Sequence, residues 1–240
     1  MTYCVGLLLN EGMVLLSDTR TNAGLDNIST YRKMFTFEEP GERVICILTA
    51  GSLSVTQTTI AQLREDIADR EATPETSIML APTLLKVAEI VGNRLAAVRE
   101  EVDHKLSAAQ GASASMIVAG QRKGGAMRLF LIYPEGNFIE ATEDTPFLQI
   151  GEHKYGKPIL DRVVKPTTSL SDATKAVLLS MDSTLRSNLS VGMPLDLAVI
   201  ERDACKVTLR RRIENGDPQF RAMSEAWSTA LREGFAKITI

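Results

Sequence analysis

The chain opens with two apolar runs, Cys4 to Leu9 and Met13 to Leu16, separated by Asn10-Glu11-Gly12. Two such runs around an Asn/Gly cluster read as a β-hairpin. Successive side chains on a strand point to opposite faces. A strand that is apolar at every position therefore needs cover on both faces, which fits a sheet buried between two layers. The hairpin also brings its ends together, so Thr2 and Asp18 are expected at the same end. A two-residue turn at Glu11-Gly12 puts those two on opposite faces, and a three-residue loop with a bulge puts them on the same face. Both registers stay open.

The rest of the chain supplies the layers. A polar loop, Thr19 to Ser29, leads to Tyr31–Phe37, which alternates like a strand and places Tyr31, Lys33, Phe35 and Phe37 on one side. Arg43 to Thr49 is a second buried strand, ending at Ala50-Gly51. Leu53, Thr56, Ile60, Leu63 and Ile67 then stripe a helix. Another follows, with Leu84, Val87, Val91, Leu95 and Val98 as its stripe, Pro82 near its start and an end near Lys105. A small-residue loop, Ser107 to Ala114, precedes strands at Ser115–Gly120 and Met127–Tyr133, joined at Gly124-Gly125. Short strands are expected at Phe138–Ala141 and Phe147–Ile150, and a two-turn helix from near Tyr155 to Val164. A longer helix opens at the capping-box-like Ser169 to Asp172, striped by Val177, Met181, Leu185 and Leu189. Strands at Leu195–Glu201 and Lys206–Arg212 and a last helix through Met223, Trp227 and Leu231 complete the order. Strands arriving as hairpins and helices arriving in pairs show no βαβ rhythm. The expectation is an α+β fold of two antiparallel sheets covered by helix layers. No linker divides the 240 residues, so 1–240 reads as one domain.

Composition narrows the function. A formal net charge of −3 gives no sign of a nucleic-acid or membrane partner, and no apolar stretch reaches the length of a membrane span. Cys4, Cys46 and Cys205 sit in or beside apolar runs without CxxC spacing, which fits buried reduced thiols of a cytoplasmic protein. His104 and His153 are isolated from any zinc-spaced cysteines, and no phosphate-binding glycine loop occurs. Neither a metal nor another cofactor is expected.

The chemistry gathers at the hairpin's open end. Initiator methionine is usually trimmed before a residue as small as threonine, and trimming leaves Thr2 with a free α-amine beside its hydroxyl. A threonine hydroxyl needs a base, and an α-amine with a pKa of about 8 can accept its proton directly or through one water. Lys33 stands in an aromatic row, where lysine is seldom buried unless paired. It either snorkels from a sheet edge or pairs with Asp18. The strand–glycine–helix junction at Gly51 can present backbone N–H groups to a developing oxyanion.

Four features in order, Thr2, Asp18 in Ser17-Asp18-Thr19-Arg20, Lys33 in Tyr31-Arg32-Lys33-Met34, and Thr49-Ala50-Gly51, resemble proteasome β-subunits and HslV-type peptidases. The wording from Thr2-Tyr3-Cys4-Val5-Gly6 to Asp18-Thr19-Arg20-Thr21-Asn22-Ala23-Gly24, with Tyr155-Gly156-Lys157-Pro158-Ile159-Leu160-Asp161-Arg162, is most similar to the bacterial proteasome-related Anbu family. The resemblance implies a four-layer αββα sandwich of the N-terminal-nucleophile (Ntn) hydrolase type. It also implies a threonine peptidase acting on peptide or protein substrates. Thr2 would be nucleophile, Asp18 and Lys33 its charged partners, and the Gly51 N–H the oxyanion donor. Ser187 stands where the family carries an aspartate, and Ser190 matches the family's serine. Glu152, near the family's missing Gly-Ser-Gly-Ser stretch, is either a replacement negative charge or a surface residue. Self-association into a large homo-oligomer is implied too, with room for an unfoldase partner. Two other readings stay open: an amidase of the same fold acting on a small amide, and a catalytically weak scaffold or binding assembly.

Overall fold

The computed structural model describes residues 1–22, 28–105 and 112–239. The expected loops Thr19–Ser29 and Ser107–Ala114 thus lie partly outside the described residues, at 23–27 and 106–111. In chain order the strands and helices begin with β1 (Tyr3–Leu9), β2 (Gly12–Asp18), β3 (Arg20–Asn22), β4 (Ile28–Thr30), β5 (Met34–Glu39) and β6 (Arg43–Gly51). Helices α1 (Leu53–Ala68) and α2 (Leu84–Asp103) follow, then β7 (Ala114–Arg122), β8 (Arg128–Ile132), β9 (Phe138–Glu140) and β10 (Phe147–Gly151). The chain continues through α3 (Lys157–Val163), α4 (Leu170–Ser187), β11 (Leu195–Glu201), β12 (Leu209–Ile213) and α5 (Pro218–Ala236).

The opening hairpin is buried almost throughout, and its turn is neither of the two expected. Leu9 pairs with Gly12, so the turn residues are Asn10 and Glu11. Gly12 is already in the strand, at φ +152, where a Cβ would meet the Ile200 carbonyl oxygen at 2.2 Å. Only glycine fits that approach. Continuing the register from Cys4–Ser17 sets Tyr3 opposite Asp18. Alternation then turns Thr2 to the other face from Asp18.

The first sheet runs β10-β1-β2-β11-β12 and the second β5-β6-β7-β8-β9, with β3-β4 as a separate ribbon. Every pairing is antiparallel. Alternation sorts the apolar side chains into three cores. Cys4, Met13 and Leu15 meet Cys46, Leu48 and Ile117 between the sheets. Val5, Leu7, Val14 and Leu16 face Leu160 of α3 and Val177 and Met181 of α4. Ile45, Ile47, Val118 and Phe130 face Ile60 and Leu63 of α1 and Val87, Val91 and Leu95 of α2. Three cores between four layers make the αββα sandwich. Each buried leucine or isoleucine contributes about 1.5–3 kcal/mol.

Some local expectations shift. The strand after the polar loop starts at Met34, so Tyr31, Arg32 and Lys33 precede it. Phe35 and Phe37 still share a face against the α1–α2 core. The expected two-turn helix is α3, which starts at Lys157 after a short 3₁₀ turn over His153–Tyr155. The strand expected over Lys206–Arg212 begins at Leu209. Leu189 is not on the α4 stripe, because Asn188 adopts an extended conformation (φ −141°) and ends the helix at Ser187. Leu189 is 86% exposed.

Candidate active site

The hairpin end, the start of β5 and the loop after α4 converge on Asp18. Its carboxylate is fully buried and accepts three hydrogen bonds. Oδ1 accepts from Lys33 Nζ at 2.8 Å and from the Tyr3 N–H at 3.1 Å. Oδ2 accepts from the Gly192 N–H at 3.2 Å. Burial pushes the Asp18 carboxyl above the usual carboxylate range, and Lys33 followed by the two backbone N–H groups pulls it part of the way back.

Lys33 is 4% exposed and does not snorkel. Its ammonium donates to Asp18 Oδ1, to the Arg20 carbonyl at 2.6 Å and to the Met1 carbonyl at 3.4 Å. Three acceptors match its three N–H donors. The Met1 carbonyl carbon is bonded directly to the Thr2 nitrogen, so the Lys33 charge stands beside that nitrogen. The backbone of Lys33 is held as well, since the Thr49 N–H donates to its carbonyl at 2.9 Å.

Thr2 is 7% exposed and pinned from both sides. Its carbonyl accepts from the Glu152 N–H at 2.7 Å, and the next N–H, of Tyr3, is on Asp18. Gly151, at φ +80, lets β10 come this close, because a Cβ there would meet the Thr2 oxygen at 1.9 Å. The Tyr3 ring is a further anchor. Its hydroxyl lies 2.6 Å from Ser180 Oγ and accepts from Gln149 Nε2. Burial pushes the phenol up to about 12.

The structure thus brings Thr2, Asp18 and Lys33 to one end of the sandwich. Gly51 ends β6 at that same end, two residues beyond Thr49, exposed and at φ +103. A Cβ on it would meet the Ser113 oxygen at 2.4 Å. Ser187 is the exposed last residue of α4 and Ser190 lies in the loop beyond; neither hydroxyl bonds to Thr2, Asp18 or Lys33. That loop reaches Asp18 through the Gly192 amide instead. Glu152 touches Thr2 through its backbone, and its side chain is mostly shielded, 3.8 Å from Lys154. Sequence reasoning missed Gly192 and Tyr3. A glycine whose amide reaches a residue 174 positions away leaves no local signal, and Tyr3 reads as one more apolar strand residue. Among the described residues, no three His, Cys, Asp or Glu side chains are grouped to hold a metal ion, and no helix is long and apolar enough to cross a membrane.

Chemically, a buried ammonium beside the Thr2 nitrogen favours the neutral form of an amine there. The family model described as "Proteasome subunit" matches residues 2–200. Among solved structures, Anbu (Gly-1) mutant from Hyphomicrobium sp. strain MC1 is 49% identical with a TM-score of 0.93, covering 100% of this chain and 99% of its own. Anbu (ancestral beta-subunit) from Yersinia bercovieri is 42% identical with a TM-score of 0.91, covering 99% of this chain and 98% of its own. The structure named as the helical assembly of the Anbu complex from Pseudomonas aeruginosa is 42% identical with a TM-score of 0.90, covering 99% and 97%. A search of curated proteins finds no match.

Proposed function

The chain belongs to the proteasome subunit family and, within it, to the Anbu proteins, and from that premise we propose that it is an N-terminal threonine peptidase activated by loss of Met1. Thr2 Oγ1 attacks the carbonyl carbon of a peptide bond while the Thr2 α-amine takes the hydroxyl proton. The Gly51 N–H stabilises the oxyanion, an interaction worth about 3 kcal/mol per donor in such sites. As the C–N bond breaks, the ammonium passes its proton to the departing nitrogen, leaving an ester on Thr2. Water then attacks the ester, the amine takes its proton, and the threonine hydroxyl is restored. Asp18 and Lys33 supply the fixed charges. We also infer that the chain self-associates, as the assembly named for the Pseudomonas aeruginosa protein does.

The observation that carries this reading is Lys33 Nζ, buried between Asp18 Oδ1 and the Met1 carbonyl. The lysine charge stands where the free amine of Thr2 would appear. The test keeps every residue but prevents trimming, by inserting a bulky residue between Met1 and Thr2. The Thr2 nitrogen then stays an amide without basicity. Labelling by an epoxyketone, read by intact mass, is expected to vanish while the fold survives. Thr2→Ala is expected to behave alike, and Thr2→Ser to keep partial reactivity. Normal labelling of the blocked protein would refute the mechanism.

One observation favours a weaker catalyst within the same fold. Ser187, in place of the family aspartate, makes no bond to the site, so it does nothing to steady an α-ammonium. Slow but stoichiometric epoxyketone labelling, with little peptide turnover, is what that scaffold-like reading predicts.

A further inference from the structure

A cleft of about 390 Å³ lies on the helix side of the first sheet, between the end of α4, the loop to β11, the Asn215–Asp217 turn and the start of α5. Its floor is apolar, with Leu185, Val191 and Phe220, and its walls are charged. Both carboxylates are already engaged. Asp182 accepts from Arg186 Nε at 3.1 Å and Ser224 Oγ at 2.7 Å. Asp217 accepts from the Phe220 N–H at 2.9 Å and from Arg211 at 2.7 Å. The guanidinium donors are in surplus. Arg20 spends one N–H on the Leu189 carbonyl at 2.9 Å, and the Arg221 guanidinium, unlike its backbone N–H, has no hydrogen-bond partner among the described residues. A surplus of planar donors over an apolar floor suits a carboxylate with an apolar neighbour.

The same wall touches the candidate active site. The Arg20 carbonyl accepts from Lys33. Its guanidinium lies against Gly192, where a Cβ would meet Nε at 2.1 Å, and the Gly192 N–H holds Asp18. Arg20 is therefore braced between the cleft and both charged partners of Thr2.

We propose that this cleft binds an acidic peptide segment, one carboxylate side chain beside an apolar one, and that its occupant steadies the Gly192 loop on Asp18. The carboxylate pairs with Arg221 and Arg20, the apolar side chain lies on Leu185 and Phe220, and Arg20 is clamped over Gly192. The effect on Thr2 rests on the peptidase reading above; the binding does not.

The probe is the amidated peptide Asp-Leu-Glu-Phe, labelled with fluorescein at its N-terminus and titrated by anisotropy. Its neutral counterpart, Asn-Leu-Gln-Phe, is the control. The acidic peptide is expected to bind at least about tenfold more tightly than the control, and Arg221→Glu to remove that preference. Arg221 is exposed, so the variant is expected to fold normally, with unchanged circular dichroism. Equal binding of the two peptides, no effect of Arg221→Glu, or complete displacement by millimolar inorganic phosphate would each overturn the assignment, the last in favour of a small-anion site. Saturating acidic peptide is further expected to raise the rate of epoxyketone labelling at Thr2 by about fivefold, as a modest coupling would. Binding without any change in that rate refutes the coupling alone. A protein that never labels but still binds the acidic peptide separates failure of the peptidase reading from failure of the cleft.

Discussion

Lys33 bonds to acceptors on three separate segments, the N-terminus, the end of β2 and β3, so removing it has two separable effects. Lys33→Met takes away the charge beside Thr2, and epoxyketone labelling is expected to be lost. It also strands the Asp18 carboxylate in the interior, which should cost about 3–5 kcal/mol by denaturant titration. Adding Asp18→Asn neutralises that stranded group and should return part of the stability without returning any labelling. Full labelling of Lys33→Met would discard the catalytic role. Tyr3 offers a pH test. Its phenol is held at about 12 against an ordinary 10.0, so the folded state keeps its proton where the unfolded state has lost it. Stability from this group is intact below pH 10 and falls as pH rises towards 12, by about 3 kcal/mol in total. Tyr3→Phe should flatten that part of the alkaline stability curve. An unchanged slope between pH 10 and 12 would contradict it.

At the scale of elements, what was legible followed from periodicity. The double-faced apolar hairpin could only sit between layers, and the three cores are sorted by the alternation visible in Cys4-Val5-Gly6-Leu7 and Ile45-Cys46-Ile47-Leu48. For Lys33 the aromatic row left two readings, a snorkel or a pair with Asp18, and the 2.8 Å bond from Nζ to Asp18 Oδ1 shows the pair. Register was not legible, since moving the turn to Asn10-Glu11 depends on Gly12 packing under Ile200, a contact from the far end of the chain. Leu189 continued the helical spacing but fell outside the helix because the backbone turns at Asn188. Close approaches of backbone were equally invisible. Gly92 of α2 packs on the turn before β9, where a Cβ would lie 2.1 Å from the Gly136 oxygen. Gly92→Ala should therefore push α2 off that turn and cost about 1–3 kcal/mol in thermal or denaturant unfolding. The α1–α2 layer covers the second sheet, away from the loop that carries Gly192, so Thr2 labelling should be unchanged. A variant as stable as the parent would show that α2 moves freely there.

The molecule as a whole leaves an apolar row uncovered. Helix α5 packs on α4 through its first half, where Ser224 Oγ donates to Asp182 Oδ1 at 2.7 Å. From Thr229 to Thr239 every residue is exposed. Within that stretch Leu231 and Phe235, four apart, share one face of α5, Ile238 lies just past its end, and Phe235 is 79% exposed. Contiguous apolar surface of this kind marks an interaction site, and the stripe has the narrow form of a helix–helix seam. A second copy of the same chain is the occupant expected here, since the Pseudomonas aeruginosa relative is named as a helical assembly and a stripe of this kind is self-complementary across a two-fold axis. Light scattering at micromolar concentration should then give a mass several times the 26.2 kDa of one chain. Changing Leu231 and Phe235 together to lysine should lower that mass in a single step. Circular dichroism should stay unaltered, because the Asp182–Ser224 contact and the three cores are untouched. An unaltered mass in the variant would move the interface elsewhere on the surface. A wild-type chain that scatters as a monomer would leave Thr2 unsequestered, and that result favours the small-amide enzyme over the peptidase.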